Sequence, residues 1–305
     1  MKEAVAFLVF NRPECTERTF AEIRRARPQR LFVVADGPRL SRTGEAEKCK
    51  AVREIIDNGV DWPCDVERNY SNKNLGCASR LATGLTWAFS RAESLIVLED
   101  DCLPDPSFFV YCEELLSKYR HDARVGQICG TPFIKSKVDT EFSYLYSRYG
   151  PIWGWASWRR AWSYYDLELR SWPQLKRSGN LGSIINSQRE RVVRSALYDK
   201  LHAGNPSTWD FQWGYAKLFN SMLSVIPRVS LIENIGFGQE ATHTATTSQV
   251  LGRFEMEFPL HHPDRVIPDM LFETAFSNHC APSSLTKVKL RAASALKRVR
   301  RCFNP

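Results

Sequence analysis

Leu95-Ile96-Val97-Leu98 runs without a break into Glu99-Asp100-Asp101. The apolar residues, largely β-branched or leucine, read as a strand buried on both faces, the pattern of a parallel sheet. Three adjacent carboxylates at its C-terminal end repel one another, so a fold that keeps them there compensates them with a cation or a set of hydroxyls. Asp105-Pro106-Ser107 then predicts a helix start, with Asp as N-cap and Pro at the first helical position. Phe108, Cys112, Leu115 and Tyr119 follow at helical spacing. The acids thus fall in a strand-to-helix crevice, the place where open α/β sheets bind ligands. The competing reading is a plain one, acids that cap a helix and are solvated by water.

The segments before this stretch alternate in type. Ala4–Phe10 predicts a first buried strand, and Pro13 starts a helix with Phe20 and Ile23 inward. Leu31–Ala35 predicts a second strand that ends in the turn Asp36-Gly37-Pro38. A polar helix over about 44–58 and a third strand over 65–69 follow. Asn72-Lys73-Asn74-Leu75-Gly76 is a loop leading to a helix that carries Leu81, Leu85, Ala88 and Phe89. Such βαβ alternation implies an α/β fold, a mostly parallel central sheet flanked by helices. One sheet edge would then gather Asn11, Arg12, Asp36 and Glu99 to Asp101. A nucleotide pocket needs such a set, an acid or amide for base and ribose and a cation for phosphate.

A chain of 305 residues with 43% hydrophobic and 25% charged content can bury a large globular core. Its longest apolar run, Ala4–Phe10, is far short of the ~20 residues of a membrane span and lacks a signal-peptide pattern. Nine cysteines without CxxC spacing point to free thiols in a reducing, cytoplasmic setting. The formal charge of +8 is concentrated: residues 286–305 hold seven Lys or Arg and no acid. The remainder is nearly neutral, which speaks against a nucleic-acid partner. From residue 283 the tail can form a basic amphipathic helix with Val288, Ala292, Leu296 and Val299 on one stripe, suited to an anionic membrane surface.

Past a further strand at 125–130 the texture turns aromatic. Trp153 and Trp155, beside Pro151 and Gly154, read as a ligand-facing loop, whereas Trp158 and Trp162, at i and i+4, read equally as core. Residues 183–203 predict a polar helix without evident chemistry. Trp209 and Asp210 open another helix, where an acid is stabilised by the helix dipole whether or not it is catalytic. A strand over 224–231 precedes Gly236–Thr247, a small polar loop containing His243, readable as a lid or as an ordinary surface loop.

The order of these features resembles the GT-A fold of nucleotide-sugar glycosyltransferases, in particular inverting N-acetylglucosaminyltransferases and bacterial surface-polysaccharide glycosyltransferases. The likeness rests on Asn11-Arg12, Asp36, Glu99-Asp100-Asp101, Gly154-Trp155 and Trp209-Asp210, and spans roughly residues 4–245. It implies that Asp101 ligates a divalent metal, Mn²⁺ or Mg²⁺, held with the donor diphosphate. Asp100 would contact the ribose, Asp36 the base, and Asp210 would be the catalytic base. Asn11, Arg12, Lys73 and Glu99 complete the expected nucleotide-sugar site, with Trp153, Trp155, Trp209 and His243 toward the sugar and acceptor. The implied donor is a nucleotide-diphosphate sugar, UDP-sugars first, and the implied acceptor a saccharide or lipid-linked saccharide. Residues 1–130 would form the nucleotide-binding half, 131–282 the acceptor half of the same domain, and 283–305 the tail.

Two other functions fit parts of this pattern. A sugar-nucleotide nucleotidyltransferase shares the sheet topology, but wants a glycine-rich phosphate loop where this chain has Phe10-Asn11-Arg12-Pro13-Glu14. A non-catalytic carbohydrate-binding protein accounts for the aromatics and leaves the acid triplet unexplained.

Overall fold

The computed structural model describes residues 1–135, 137–185, 187–204, 206–236 and 251–279. His243 and the tail from 283 lie outside the described residues. The first half runs β1 (Ala4–Val9), α1 (Pro13–Ala26), β2 (Arg30–Ala35), α2 (Glu45–Gly59), β3 (Asp65–Tyr70), α3 (Cys77–Arg91), β4 (Ser94–Glu99), β5 (Cys102–Pro104), α4 (Pro106–Lys118) and β6 (Val125–Cys129). The second half runs β7 (Tyr144–Ser147), β8 (Trp155–Trp158), α5 (Arg159–Trp162), α6 (Trp172–Ser178), α7 (Leu181–Ile184), α8 (Gln188–His202), α9 (Asp210–Phe219), β9 (Leu223–Pro227), β10 (Ile232–Asn234) and α10 (Met270–His279).

Among the described residues, eight strands form one sheet in the order β3-β2-β1-β4-β8-β6-β9-β7. Pairings β3·β2, β2·β1, β1·β4 and β6·β9 are parallel, while β8 runs antiparallel to both neighbours and β7 antiparallel to β9. A small antiparallel pair, β5·β10, stands apart from it. This is the α/β architecture the alternation predicts, a large and mostly parallel sheet covered by helices.

The strand period explains the layering. Alternate residues of β1 point to opposite faces. Val5, Phe7 and Val9 join a core with Phe20 and Ile23 of α1, Val52 and Ile56 of α2 and Phe108, Cys112 and Leu115 of α4. Ala4, Ala6 and Leu8 join a second core with Leu85, Ala88 and Phe89 of α3. Burial on both faces is why β1, β2 and β4 read as unbroken apolar runs. In α3, a Cβ at Gly84 would overlap the Val34 side chain, so the missing side chain lets the helix close on β2. The α4 start forms as its residues dictate: Asp105 accepts a hydrogen bond from the Ser107 amide at 2.9 Å, with Pro106 in the first turn.

The aromatic region departs from its expected form. Trp155 lies not in a ligand-facing loop but in β8, fully buried between β4 and β6. Trp158 ends the same strand, so it and Trp162 do not share a helix; α5 is a single turn. Among the described residues no helix is long and apolar enough to cross a membrane.

Candidate active site

Register sets the position of the site. Val9 pairs with Ala35 and Leu8 with Glu99, so the chain leaves β1, β2 and β4 at one edge. Arg12, Asp36 and Glu99 to Asp101 follow immediately. A cavity of about 740 Å³ opens there, lined by Arg12, Asp36, Glu99 and Asp101 and also by Trp153, Trp209 and Asp210. That volume suits a substrate-sized ligand.

Within the acid triplet the three carboxylates meet different surroundings. Arg12, at the N-terminus of α1, ion-pairs with Asp100 and, at 2.8 Å, with Asp101. Although burial opposes its charge, these two carboxylates keep the guanidinium protonated. Asp100 is 2% exposed and also accepts from the Phe10 amide at 3.3 Å. Burial still pushes its carboxyl up to about 6, against the opposing effect of Arg12. Glu99 accepts no hydrogen bond among the described residues, and burial, then the charges of Asp101 and Asp100, push it up to about 8. One cation therefore faces three acids, and the surplus is negative charge beside the cavity.

That surplus bears on the divalent cation the fold resemblance implies. Among the described residues no three His, Cys, Asp or Glu side chains are placed to hold an ion by themselves. What the cleft offers is Asp101, 16% exposed by its side chain, with Glu99 beside it. One or two carboxylates are what Mg²⁺ or Mn²⁺ uses when substrate phosphates complete its shell. The residues fit an ion that arrives with a diphosphate. Gly236 closes this corner: the Ile235 amide donates to the Asp101 carbonyl at 2.8 Å, and a Cβ at Gly236 would overlap the Asp101 carboxylate.

Asp36 is more heavily engaged than a lone turn acid. Its Oδ1 accepts from the amides of Gly37 and Leu75, both at 2.9 Å, and its Oδ2 from Gly76 N at 3.0 Å and Asn74 Nδ2 at 3.1 Å. The carboxylate thus clamps the loop before α3 onto the end of β2. Cys77, in the first turn of α3, feels the acids from several sides. Burial, then the charges of Glu99, Asp210 and Asp36, push its thiol up to about 12. Asn11 donates to Glu45 of α2 at 2.9 Å, and Lys73 is exposed; neither side chain lines the cavity.

Asp210, also in the lining, starts α9 with Trp209 as N-cap residue. Asp210 is half-buried, faces the cavity and has no hydrogen-bond or ion-pair partner among the described residues. Trp209 is 2% exposed and is held from behind by Trp155, with ring centroids 5.6 Å apart, and by Tyr165, whose hydroxyl donates to its carbonyl at 3.1 Å. Trp155 thus supports the wall without reaching it.

The sequence reading gave α8 only as a polar helix without chemistry and did not single out α10. α8 presents Arg189, Val193 and Leu197, and α10 presents Phe276, which stacks on Tyr149 at 5.5 Å. α10 is tied to β7 by the buried Glu273, which ion-pairs with Arg148. The i, i+4, i+8 spacing of Arg189, Val193 and Leu197 was the available signal for α8.

In sequence, no protein-family profile and no curated protein matches this chain. Its fold is similar to that of a 4-diphosphocytidyl-2C-methyl-D-erythritol synthase from Anaerococcus prevotii (10% identity, 75% of this chain and 91% of that one, TM-score 0.37). It is also similar to a UDP-glucose pyrophosphorylase complexed with UDP-glucose (12%, 54% and 79%, TM-score 0.33). A third similar structure is S. aureus TarS 1–349 (11%, 53% and 48%, TM-score 0.36). All three are remote likenesses.

Proposed function

We propose that the chain transfers a sugar from a nucleotide-diphosphate donor, a UDP-sugar first, to a hydroxyl acceptor, with inversion at the anomeric carbon. The observation that carries this reading is the meeting in one cavity of the Arg12–Glu99–Asp101 corner with Asp210, a carboxylate without a partner among the described residues. The donor diphosphate lies at the first and the sugar between the two. Asp210 takes the proton of the acceptor hydroxyl as its oxygen attacks the anomeric carbon. The anomeric C–O bond to the diphosphate breaks, and the nucleoside diphosphate leaves on the opposite face. One carboxylate suffices, since no glycosyl-enzyme forms. Asp101, with Glu99, would hold Mn²⁺ or Mg²⁺, which supplies charge neutralisation at the leaving diphosphate. Arg12 fixes Asp100 and Asp101, and the buried Trp209 anchors the start of α9, which carries Asp210. This work would proceed in the cytoplasm, with the basic tail resting on anionic membrane.

The nucleotidyltransferase alternative asks for a glycine-rich phosphate loop after β1, where this chain places Arg12 and Pro13 directly at the start of α1. The test is to screen nucleotide sugars for turnover and carry the active donor to Asp210→Asn. General-base loss predicts a fall in kcat of about 10²–10⁴ with donor affinity unchanged. A lower melting temperature with kcat preserved would make Asp210 only a helix-capping acid. Pyrophosphate release from a nucleoside triphosphate and a sugar 1-phosphate would instead assign the site to nucleotidyl transfer.

A further inference from the structure

Glycine is the poorest helix former after proline, so a helix interior that keeps one has a reason to do so. Gly84 of α3 has a packing reason, because a Cβ there would overlap Val34 of β2. Gly214 has none. It stands midway along α9, between the buried Trp213 and Tyr215, with helical rather than left-handed backbone. A Cβ built on it meets no atom within 4 Å. Neither packing nor backbone conformation asks for glycine at this position. What Gly214 faces is the cavity, which it lines together with Asp210. Residues four apart share a helix face about 6 Å along the axis, so Gly214 continues the Asp210 face by one turn. The Asp210 end of α9 is the one near the acid corner, since its charge helps to raise Glu99 and Cys77. One turn beyond, α9 shows the cavity bare backbone. Thr208, Ser277 and Asn278 line the same cavity and bring hydroxyl and amide groups to it.

We infer that Gly214 is a specificity-determining residue, which leaves room for the ring of a saccharide acceptor to lie against α9 while its hydroxyl reaches Asp210. This rests on the transferase reading and adds to it the residue that limits the size of the acceptor. One helical turn is about the span of a sugar ring, so a ring held at Asp210 covers Gly214. Glycine is the residue that lets a backbone approach a ligand closely. A side chain there would take the space of the ring, and the helix forgoes the stability that alanine would give it.

The test uses the full-length protein saturated with UDP and Mn²⁺, titrated calorimetrically with the methyl glycosides of glucose, galactose and N-acetylglucosamine. At least one should bind the unaltered protein. Gly214→Ala should weaken that binding by about threefold and Gly214→Leu by at least about tenfold, as the added carbons displace the ring. Thermal unfolding without ligand gives an independent readout. Gly214→Ala should raise the melting temperature by about 1–3 °C, since alanine favours the helix and meets no neighbour. A lowered melting temperature in Gly214→Ala would make the glycine a requirement of the fold and overturn the inference. So would binding of no glycoside, or equal binding by all three proteins. UDP with Mn²⁺ is titrated first into the unaltered protein. Failure of UDP to bind defeats the transferase reading and this inference with it, whereas UDP binding with glycoside affinity indifferent to residue 214 defeats the inference alone.

Discussion

Arg12→Met tests whether the acid triplet is held by a single cation. The substitution keeps length and packing but removes both ion pairs, to Asp100 and to Asp101. The Asp100 side chain is 3% exposed and would keep only the Phe10 amide and its fold-imposed burial. Stripping one partner from a buried charge pair costs about 3–5 kcal/mol. Asp101 adds less, since it reaches water in the cavity. At roughly 2–3 °C per kcal/mol for a chain of this size, the melting temperature should fall by about 6–15 °C at pH 8. Asp100 can escape by taking up a proton, and its carboxyl already stands near 6 with the arginine present. The loss should therefore shrink at pH 5.5. Adding Asp100→Asn to Arg12→Met removes the stranded charge and should recover more than half of the loss at pH 8. The assay is thermal unfolding by circular dichroism at both pH values. A fall below 2 °C at pH 8, a larger fall at pH 5.5, or no rescue by Asp100→Asn would refute the reasoning.

Glu99 supplies a pH test of opposite origin. Its folded value of about 8 stands above the ordinary 4.5, so the folded state binds this proton more tightly and ionisation costs stability as pH rises between those values. The unliganded protein should lose melting temperature from pH 6 to 8, and Glu99→Gln should flatten that slope; parallel slopes would contradict it. Asp36→Ala should cost about 1–3 kcal/mol in urea unfolding, because it strands the amides of Leu75 and Gly76. A purely base-contacting Asp36 would leave stability unchanged and lower nucleotide affinity alone.

Much of the first half, up to β6, was legible because each signal was local. Runs such as Leu95–Leu98 must be buried on both faces, Asp105-Pro106 caps its helix by itself, and parallel order brings Arg12, Asp36 and Glu99 to one edge. What stayed hidden depended on distant partners. The loop that Asp36 clamps lies about forty residues away, and its three donors, from Asn74, Leu75 and Gly76, converge on the carboxylate only in the fold. Trp155 looked ligand-facing beside its glycine, yet strand insertion between β4 and β6 buried it. The helix over 183–203 seemed merely polar because its cavity face is a narrow stripe of Arg189, Val193 and Leu197 amid charge. α10 gave no sign at all, since Phe276 gains its meaning from Tyr149, over a hundred residues earlier.

The most direct test of the account is calorimetric titration of UDP into the unaltered protein and into Asp101→Ala, each with and without Mn²⁺. The account predicts saturable binding to the unaltered protein that requires the ion, and loss of that dependence in Asp101→Ala while the variant's melting temperature stays within a few degrees. Equal affinity in the two proteins, or binding indifferent to Mn²⁺, would contradict a diphosphate site centred on Asp101.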